Sequence, residues 1–241
     1  MELEIVHLYH DLLNTYGDDG NIRLLKMRAE RRGICVNIKK VTVGDSLRDA
    51  DILFLGGGQE YEQTIVSEDI LKNRADFLKS YVEDGGTGLF ICGGYQLMGE
   101  FYADNTGKKV KGAAVLPIHT EGSDGRFTGN IIARNNLETL VGFENHSGKT
   151  YLDGGEALGV VLLGNGNNGK DKTEGCVYKN AIGTYMHGPL LSKNPALCDD
   201  ILRRAMIRKY GSCVLEPLPD KFELLAKKEM IRRLLPEDGA K

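Results

Sequence analysis

The stretch GLFICGGYQLMG at residues 88–99 constrains the fold more than any other part of the sequence. Its apolar run predicts a buried strand, and the residues after the second glycine begin a helical pattern. The backbone must turn sharply at Cys92, which Gly93 and Gly94 permit because they carry no side chains that would collide. A buried strand followed by a helix is the unit of a parallel α/β sheet, since parallel neighbours need a crossover between them.

The rest of the first half repeats this alternation of strands and helices. Apolar runs predict strands in LEIVHLY, ICVNIKKVTV and DILFL, the last of which leads into three glycines. Amphipathic spacing predicts one helix at about residues 21–32, ended by Gly33, and another in DILKNRADFLKSYVEDGG. We therefore predict an α/β fold with a mostly parallel central sheet flanked by helices.

The second half is richer in β-branched residues and glycine. Segments such as FTGNIIARNN, LGVVLLGNGNNG, GCVYKN and AIGTYMHG predict further strands of the same sheet, joined by loops. Two helices are predicted near the end, in PALCDDILRRAMIRKYG and DKFELLAKKEMIRRLL. With no internal repeat or linker, we predict a single domain over residues 1–241, with a core at about 3–210 and a C-terminal helical extension at about 211–241.

Composition excludes several classes of function. A formal net charge of -3 over 241 residues gives no general case for binding nucleic acid. The N-terminus lacks the pattern of a signal peptide and no stretch is apolar enough to span a bilayer, so we expect a cytoplasmic protein. The five cysteines are scattered without a C-x-x-C pair, which predicts free thiols and no metal site.

Cys92 is the candidate nucleophile. A nucleophile at a strand-to-helix turn projects from the carboxyl edge of the sheet, and the positive end of the following helix stabilises a thiolate there. Phe90 departs from the pattern, because many such turns carry glycine two residues before the nucleophile. Taken alone, Cys92 also fits a buried structural cysteine.

The three glycines of FLGGGQ provide candidate oxyanion donors. Adjacent parallel strands deliver their carboxyl ends to one edge, so the backbone N–H groups of Gly57 and Gly58 can lie beside Cys92. With the N–H of Gly93 they would form an oxyanion hole. A tight turn is the alternative explanation for the three glycines.

Among five histidines, His187 is the best candidate base, because it follows the strand-like AIGTYM and precedes Gly188-Pro189. His146 in GFENHSG is the second candidate, while His7 and His10 are expected in the first strand and at its end. Each histidine also has the alternative of a purely structural hydrogen-bonding role.

The order LGGGQ, CGGYQLMG, GTYMHGP resembles the class I (triad-type) glutamine amidotransferases, in the branch related to cobyric acid synthase. YHDLLNTYGDDGNIRLL and GFENHSGKTYL are similar to the GatD-type glutaminase subunits of lipid II isoglutaminyl synthases. The resemblance spans roughly residues 3 to 210. It implies that Cys92 attacks the side-chain amide of L-glutamine and that His187 moves the protons.

The same resemblance implies roles for further residues. The N–H groups of Gly58 and Gly93 would hold the oxyanion, and Gln96 and Gly57 would contact the substrate. Arg126 in DGRFTGN would bind the α-carboxylate of glutamine through a bidentate contact. A solvent-exposed loop arginine is the alternative for that position.

The resemblance also implies a partner. A MurT-like subunit related to the Mur ligases would hold ATP and Mg, and would amidate the α-carboxyl of D-glutamate in the lipid II stem peptide to D-isoglutamine, at the inner face of the membrane. No cofactor is expected in this chain. The alternatives are an amidotransferase for another acceptor, as in cobyric acid synthesis, a catalytically silent scaffold, or a cysteine hydrolase without a glutamine requirement.

Pro189 departs from the family pattern, because most members carry a glutamate two residues after the histidine. Proline cannot orient an imidazole. We therefore expect either a dyad or an acidic residue contributed, or brought into place, by the partner subunit. The stretch YGDDGN is interpreted as a loop and helix cap, with a partner surface as the alternative.

Overall fold

The computed structural model describes residues 1–103 and 107–235. Strands and helices are numbered in chain order. The strands within the described residues are β1 (Glu2–Leu8), β2 (Cys35–Val41), β3 (Ile52–Leu55), β4 (Thr87–Ile91), β5 (Phe101–Ala103), β6 (Lys109–Lys111), β7 (Ile118–Glu121), β8 (Phe127–Arg134), β9 (Thr139–His146), β10 (Lys149–Leu152), β11 (Gly159–Leu163), β12 (Thr173–Glu174), β13 (Cys176–Tyr178) and β14 (Ala181–Thr184). The α-helices are α1 (Asp19–Glu30), α2 (Glu60–Asn73), α3 (Ala75–Glu83), α4 (Gly93–Leu97), α5 (Pro195–Tyr210) and α6 (Lys221–Leu234).

The central sheet has the strand order β13-β14-β4-β3-β1-β2. Neighbours from β14 to β2 pair in parallel, and β13 alone of these six strands runs antiparallel to its neighbour. Strands β3 and β4 are buried along their whole length, as expected for strands covered on both faces. The predicted α/β fold, with a mostly parallel sheet and flanking helices, is confirmed. The carboxyl ends of β1, β3, β4 and β14 meet at one edge.

The second half departs from the prediction of one continuous sheet, which was wrong. Strands β5 to β12 form two separate four-stranded sheets, in the orders β10-β7-β5-β6 and β12-β11-β8-β9. The long antiparallel pairing of β8 with β9 satisfies the backbone groups locally. Alternating and β-branched residues identify strands but do not determine which partner a strand pairs with, and this is why the prediction failed.

The helix predicted in DILKNRADFLKSYVEDGG is also different. The structure has two helices there. The first, α2, already begins at Glu60, so EYEQTIVSE belongs to this helix and not to the loop after β3. The break lies at Arg74, whose guanidinium is buried and donates to Asp69 Oδ2 and to the Thr42 carbonyl. These tertiary bonds hold Arg74 outside helical geometry.

The two predicted C-terminal helices are confirmed as α5 and α6, and Gly211 ends α5 in the left-handed region at φ 80°. Residues 236–241 of the predicted extension lie outside the described part of the chain. Within that part, no helix combines the length and apolar character needed to cross a bilayer.

A buried ion-pair cluster joins the C-terminal helices to the core. Arg28 of α1 is 3% exposed and donates to both oxygens of Asp199 on α5 and both oxygens of Asp220, the residue before α6. Arg32 also donates to Asp199. A buried guanidinium between two carboxylates is stable only while both partners remain.

Replacing Arg28 by methionine should therefore lower the free energy of unfolding by about 3 kcal/mol, because Asp220 loses its counter-ion and Asp199 keeps only Arg32. Urea denaturation followed by circular dichroism measures this. The matched control is Arg23→Met on the same helix, since Arg23 is 80% exposed and pairs with Asp19 at the surface. That change should cost under about 1 kcal/mol. Equal losses in the two variants would contradict the proposed tether.

Candidate active site

Cys92 lies at the end of β4 in a strained turn. Its backbone has φ 50° and ψ -106°, a left-handed conformation that is rare for a residue other than glycine. A hydrogen bond from its N–H to the Thr184 carbonyl, at 2.8 Å, fixes the turn against β14. A Cβ atom on Gly94 would lie 2.7 Å from the Leu55 carbonyl oxygen, so the helix can start this close to β3 only with glycine at this position. The sharp turn predicted at Cys92 is confirmed.

His187 follows β14 and reaches the same edge of the sheet. Its backbone exchanges two hydrogen bonds with Phe143 of β9, and its side chain is 3% exposed. Cβ of a side chain on Gly57 would lie 3.3 Å from both Cys92 Cβ and His187 Cε1, so the two side chains are neighbours. Nε2 of His187 has no hydrogen-bond partner within the described residues. This nitrogen is therefore free for the thiol and a substrate.

The third member of the cluster is Asp18, a residue for which no chemical role is predicted above. Asp18 is fully buried, and its Oδ1 lies 3.0 Å from His187 Nδ1. Its Oδ2 accepts a hydrogen bond from Gly57 N–H at 3.0 Å. The sequence predicts a dyad, or an acidic residue contributed or brought into place by a partner subunit. The structure places a carboxylate of this chain against His187.

The interpretation of YGDDGN as a helix cap is wrong for Asp18. It occupies the N-cap position of α1 without a side-chain capping bond, and Asn14 Oδ1 instead accepts from the Asp19 N–H at 2.9 Å. Pro189 has a part in this arrangement, because a Cβ atom on Gly20 would lie 2.2 Å from the Pro189 ring. The residue that replaces the family's glutamate thus packs against the start of α1, just after Asp18.

Burial and hydrogen bonding act on the His187 imidazole in opposite directions. Burial lowers the pKa of His187, but the hydrogen bond to Asp18 and the proximity of Cys92 outweigh it, and the pKa is raised overall. The raised pKa keeps a proton on the imidazole beside the Cys92 sulfur, where it can be given to a leaving group.

The glycine loop after β3 contacts both the loop that carries Asp18 and the turn that carries Cys92. Gly57 donates to Asp18 and accepts from Thr15 N–H, so both of its backbone polar groups hold the loop that carries Asp18. Both backbone groups of Gly57 are thus used within the chain, and its contact with the substrate stays a prediction. A Cβ atom on Gly93 would lie 3.2 Å from the Gly58 nitrogen, which places the backbones of Gly58 and Gly93 side by side next to Cys92.

A cleft of about 460 Å³ opens above Cys92. Gly58, Gln96 and Arg126 line it, as do the carboxylates of Glu60 and Glu62. Gln96 is 6% exposed and donates through Nε2 to the Tyr185 hydroxyl at 3.1 Å. Arg126 lies at the exposed rim rather than free in solvent, because it donates to Asn145 Oδ1 and to the Asn145 carbonyl. The cleft therefore has charges of both signs around one nucleophile.

A larger groove of about 800 Å³ lies elsewhere, between the start of β1, the loop before β3 and the end of α5. Four of its charged residues form two ion pairs, Lys209 with Asp51 and Arg208 with Asp84. Cavity size alone would thus select the wrong place, and we assign the site by its chemistry.

His146 and His7 are held in structural positions. His146 lines the cleft, but its ring stacks on Tyr185 at 3.5 Å and its Nδ1 bonds to the Gly148 carbonyl. It is not the histidine that contacts Asp18. His7 lies within β1 as expected, and burial together with the charge of His10 lowers its pKa to about 4.

Two buried carboxyl groups near the site have opposite environments. Burial raises the pKa of Glu174 to about 7, even though the Thr184 hydroxyl and Tyr185 N–H donate to its Oε1. Burial also acts on Glu144, but the nearby His146, whose Nε2 lies 3.9 Å from Oε2, and hydrogen bonds from Asn165 and Gly166 outweigh it and lower the pKa. Glu174 thereby holds the strand end that leads to His187, a role that no local sequence signal indicates.

Comparison with known proteins agrees with this geometry. A family model described as the CobB/CobQ-like glutamine amidotransferase domain matches residues 4–195. The chain is 42% identical over 235 residues to the lipid II isoglutaminyl synthase (glutamine-hydrolyzing) subunit GatD of Staphylococcus aureus, covering 96% of both chains. It is also 42% identical over 222 residues to the GatD subunit of Streptococcus pneumoniae, covering 90% of this chain and 85% of that one.

A crystal structure of a glutamine amidotransferase superposes with a TM-score of 0.55 at 20% identity, covering 83% of this chain and 98% of that chain. At that level of identity the likeness supports the fold alone.

Replacing Asp18 by asparagine should lower the pKa of His187, because the imidazolium loses its negatively charged acceptor while burial continues to disfavour the charge. Proton-detected NMR of histidine-labelled protein follows the titration directly. Asp19→Asn is the matched control, since Asp19 pairs with the exposed Arg23. An unchanged His187 titration in Asp18→Asn would show that Asp18 does not govern this histidine.

The free energy of unfolding of Glu174→Gln, taken relative to that of the wild type, should increase as the pH rises from 5 to 8. The folded-state pKa of about 7 exceeds the ordinary value of 4.5, so the native protein retains a proton that the unfolded chain loses, and stability falls over that range. Glutamine removes this loss, and any constant cost of the substitution cancels in the difference. Glu144→Gln should show almost no change relative to the wild type over this range, because a lowered pKa contributes stability that is complete above about pH 4.5 and is lost only below it. Urea denaturation at pH 5 and at pH 8 tests this difference between the two variants.

Proposed function

The chain belongs to the CobB/CobQ-like glutamine amidotransferase family, and from that membership we propose that it is the glutamine-hydrolysing subunit of a lipid II isoglutaminyl synthase. One observation carries the proposal. Cys92, His187 and Asp18 are assembled at one sheet edge, in a chain that matches two subunits of that name over nearly its whole length.

In this proposal the Cys92 thiolate attacks the side-chain amide carbon of L-glutamine. The N–H groups of Gly58 and Gly93 donate to the oxyanion that forms. His187 then gives its proton to the leaving nitrogen, the carbon–nitrogen bond breaks, and ammonia departs from a glutamyl thioester. Water loses a proton to His187 and attacks the thioester, which releases glutamate and restores the thiolate.

Asp18 is proposed as the orienting residue of this triad. Its contact with Nδ1 of His187 directs that N–H towards Oδ1 and leaves Nε2 for the sulfur and the leaving group. Because Oδ2 is bound to Gly57, the carboxylate cannot rotate away without losing a second hydrogen bond. The histidine is thus held in one tautomer and one position.

The cleft is suited to a free α-amino acid. Arg126 offers its guanidinium to the α-carboxylate of glutamine, and Glu60 and Glu62 offer negative charge to the α-ammonium group. Gln96, held by Tyr185, follows the nucleophile by one helical turn and faces the same cleft. These groups would place the side-chain amide over Cys92.

The proposed partner is a MurT-like subunit related to the Mur ligases, which binds ATP and Mg and amidates the α-carboxyl of D-glutamate in the lipid II stem peptide. Ammonia from Cys92 would be its nitrogen source, and the pair would act in the cytoplasm at the inner face of the membrane. The assembled triad argues against a catalytically silent scaffold. Matches covering most of two GatD subunits favour this acceptor over that of cobyric acid synthesis.

We expect Cys92→Ser to reduce glutamine-dependent amidation of lipid II by a factor on the order of 10³ or more, because the nucleophile is lost. The assay combines the chain with a MurT-like ligase, ATP, Mg and lipid II, and follows the stem peptide by mass spectrometry. Ammonium chloride should restore amidation in the variant, since the ligase site lies in the partner. Cys35→Ser, at an exposed cysteine, is the control and should retain full activity.

If the wild-type complex hydrolyses glutamine but does not amidate lipid II, the acceptor is wrong while the glutaminase chemistry stands. If glutamine is not hydrolysed at all, the proposed function fails.

A further inference from the structure

We propose that Tyr16 determines specificity for the substrate, donating a hydrogen bond from its hydroxyl to the α-carboxylate of glutamine beside Arg126 while its ring holds His187. The inference rests on the proposed glutamine hydrolysis and adds to it a second carboxylate contact. It also connects recognition of the substrate's α-carboxylate to the position of the base.

Tyr16 lies in the loop between β1 and α1, two residues before Asp18. Its ring centroid is 4.6 Å from that of His187, at an interplanar angle of 53°. The side chain is 40% exposed and lines the cleft above Cys92. The Tyr16 ring therefore covers one side of the His187 imidazole. Asp18 holds the same imidazole by a hydrogen bond.

The Tyr16 hydroxyl oxygen accepts hydrogen bonds from two residues, and its own O–H remains to donate to another group. It accepts from Asn145 Nδ2 at 2.8 Å and from Arg126 Nη2 at 3.4 Å. A phenol oxygen has room for two such acceptor contacts and carries one O–H. That O–H donates to no group in the described part of the chain, so it is free for a ligand in the cleft.

Asn145 sets the orientation of Arg126. The Nε and Nη2 groups of Arg126 donate to Asn145, to its side-chain oxygen and to its carbonyl. Among the residues that the structure describes, none accepts from Nη1 of Arg126, which leaves its N–H groups for a ligand, and the Tyr16 hydroxyl contacts the same guanidinium. Two neighbouring donors, one cationic and one neutral, match the two oxygens of a carboxylate.

This arrangement has a consequence for catalysis. A carboxylate bound to the Tyr16 hydroxyl fixes the ring, and the ring packs on His187. An amide substrate without the α-carboxylate loses the contacts to Arg126 and Tyr16 together. Tyr16 is thus a positioning residue for His187 as well as a substrate contact.

The test compares Tyr16→Phe, which keeps the ring, with Tyr16→Leu, which removes it. In glutamine hydrolysis by the complex with its ligase partner, Tyr16→Phe should raise KM about tenfold with kcat within about twofold, as expected for one hydrogen bond to a charged group. Tyr16→Leu should also lower kcat and shift its pH profile, because His187 loses its cover. Tyr61→Phe, at an exposed tyrosine on the rim of the same cleft, should change neither constant.

4-Aminobutanamide, which is glutamine without its α-carboxyl group, provides the chemical control. With that substrate the wild type and Tyr16→Phe should have nearly equal kcat/KM, because the contact is absent in both. Equal KM values for glutamine in the two proteins, with the wild type active, overturn the inference and leave the proposed function intact.

A measurement without turnover keeps the two proposals separate. Isothermal calorimetry of L-glutamine binding to the Cys92→Ser chain, with and without Tyr16→Phe, should give a tenfold weaker affinity in the double variant. Equal affinities, or no binding by either protein, overturn the inference. This holds whatever the rate of hydrolysis proves to be.

Discussion

The rest of the site depends on the two hydrogen bonds that the buried carboxylate of Asp18 makes, one with His187 Nδ1 and one with the Gly57 N–H. Its two oxygens join three separate parts of the chain, the loop before α1, the glycine turn after β3 and the residue that follows β14. A fully buried carboxylate is costly unless its charge and its lone pairs are matched. Here the imidazolium of His187 supplies the charge and Gly57 supplies a second donor. The requirement to satisfy Asp18 therefore fixes the relative positions of the groups around Cys92.

Much of this arrangement follows from the sequence, because parallel strands bring their carboxyl ends to one edge. The apolar run before Cys92, the glycines at 56–58 and the strand before His187 identify three such ends, and the structure brings them together. The turn at Cys92 was predictable because its cause is local. Gly93 and Gly94 carry no side chains that would collide there. The α/β class followed from the same alternation of strands and helices.

What could not be predicted depends on contacts between distant segments. An aspartate just before a helix is a common cap, and this local explanation hid the bond from Asp18 to a histidine 169 residues away. The pairing of β1 with β3 was the available signal, since it brings the loop after β1 to the same edge. Arg74 interrupts the helix through buried hydrogen bonds to other parts of the chain. The pairing of strands β5 to β12 depends on how the strands pack. Periodicity carries none of this information.

Helix α1 has Asp18 at its start and Arg28 further along, so one rigid rod about 15 Å long links the triad to the ion pairs that hold α5 and α6. A displacement at one end must either reach the other or be absorbed as bending. Fraying of α6 is thus mechanically connected to the sheet edge that carries Cys92. Amide exchange at the two ends should accordingly report one shared opening event rather than two independent ones.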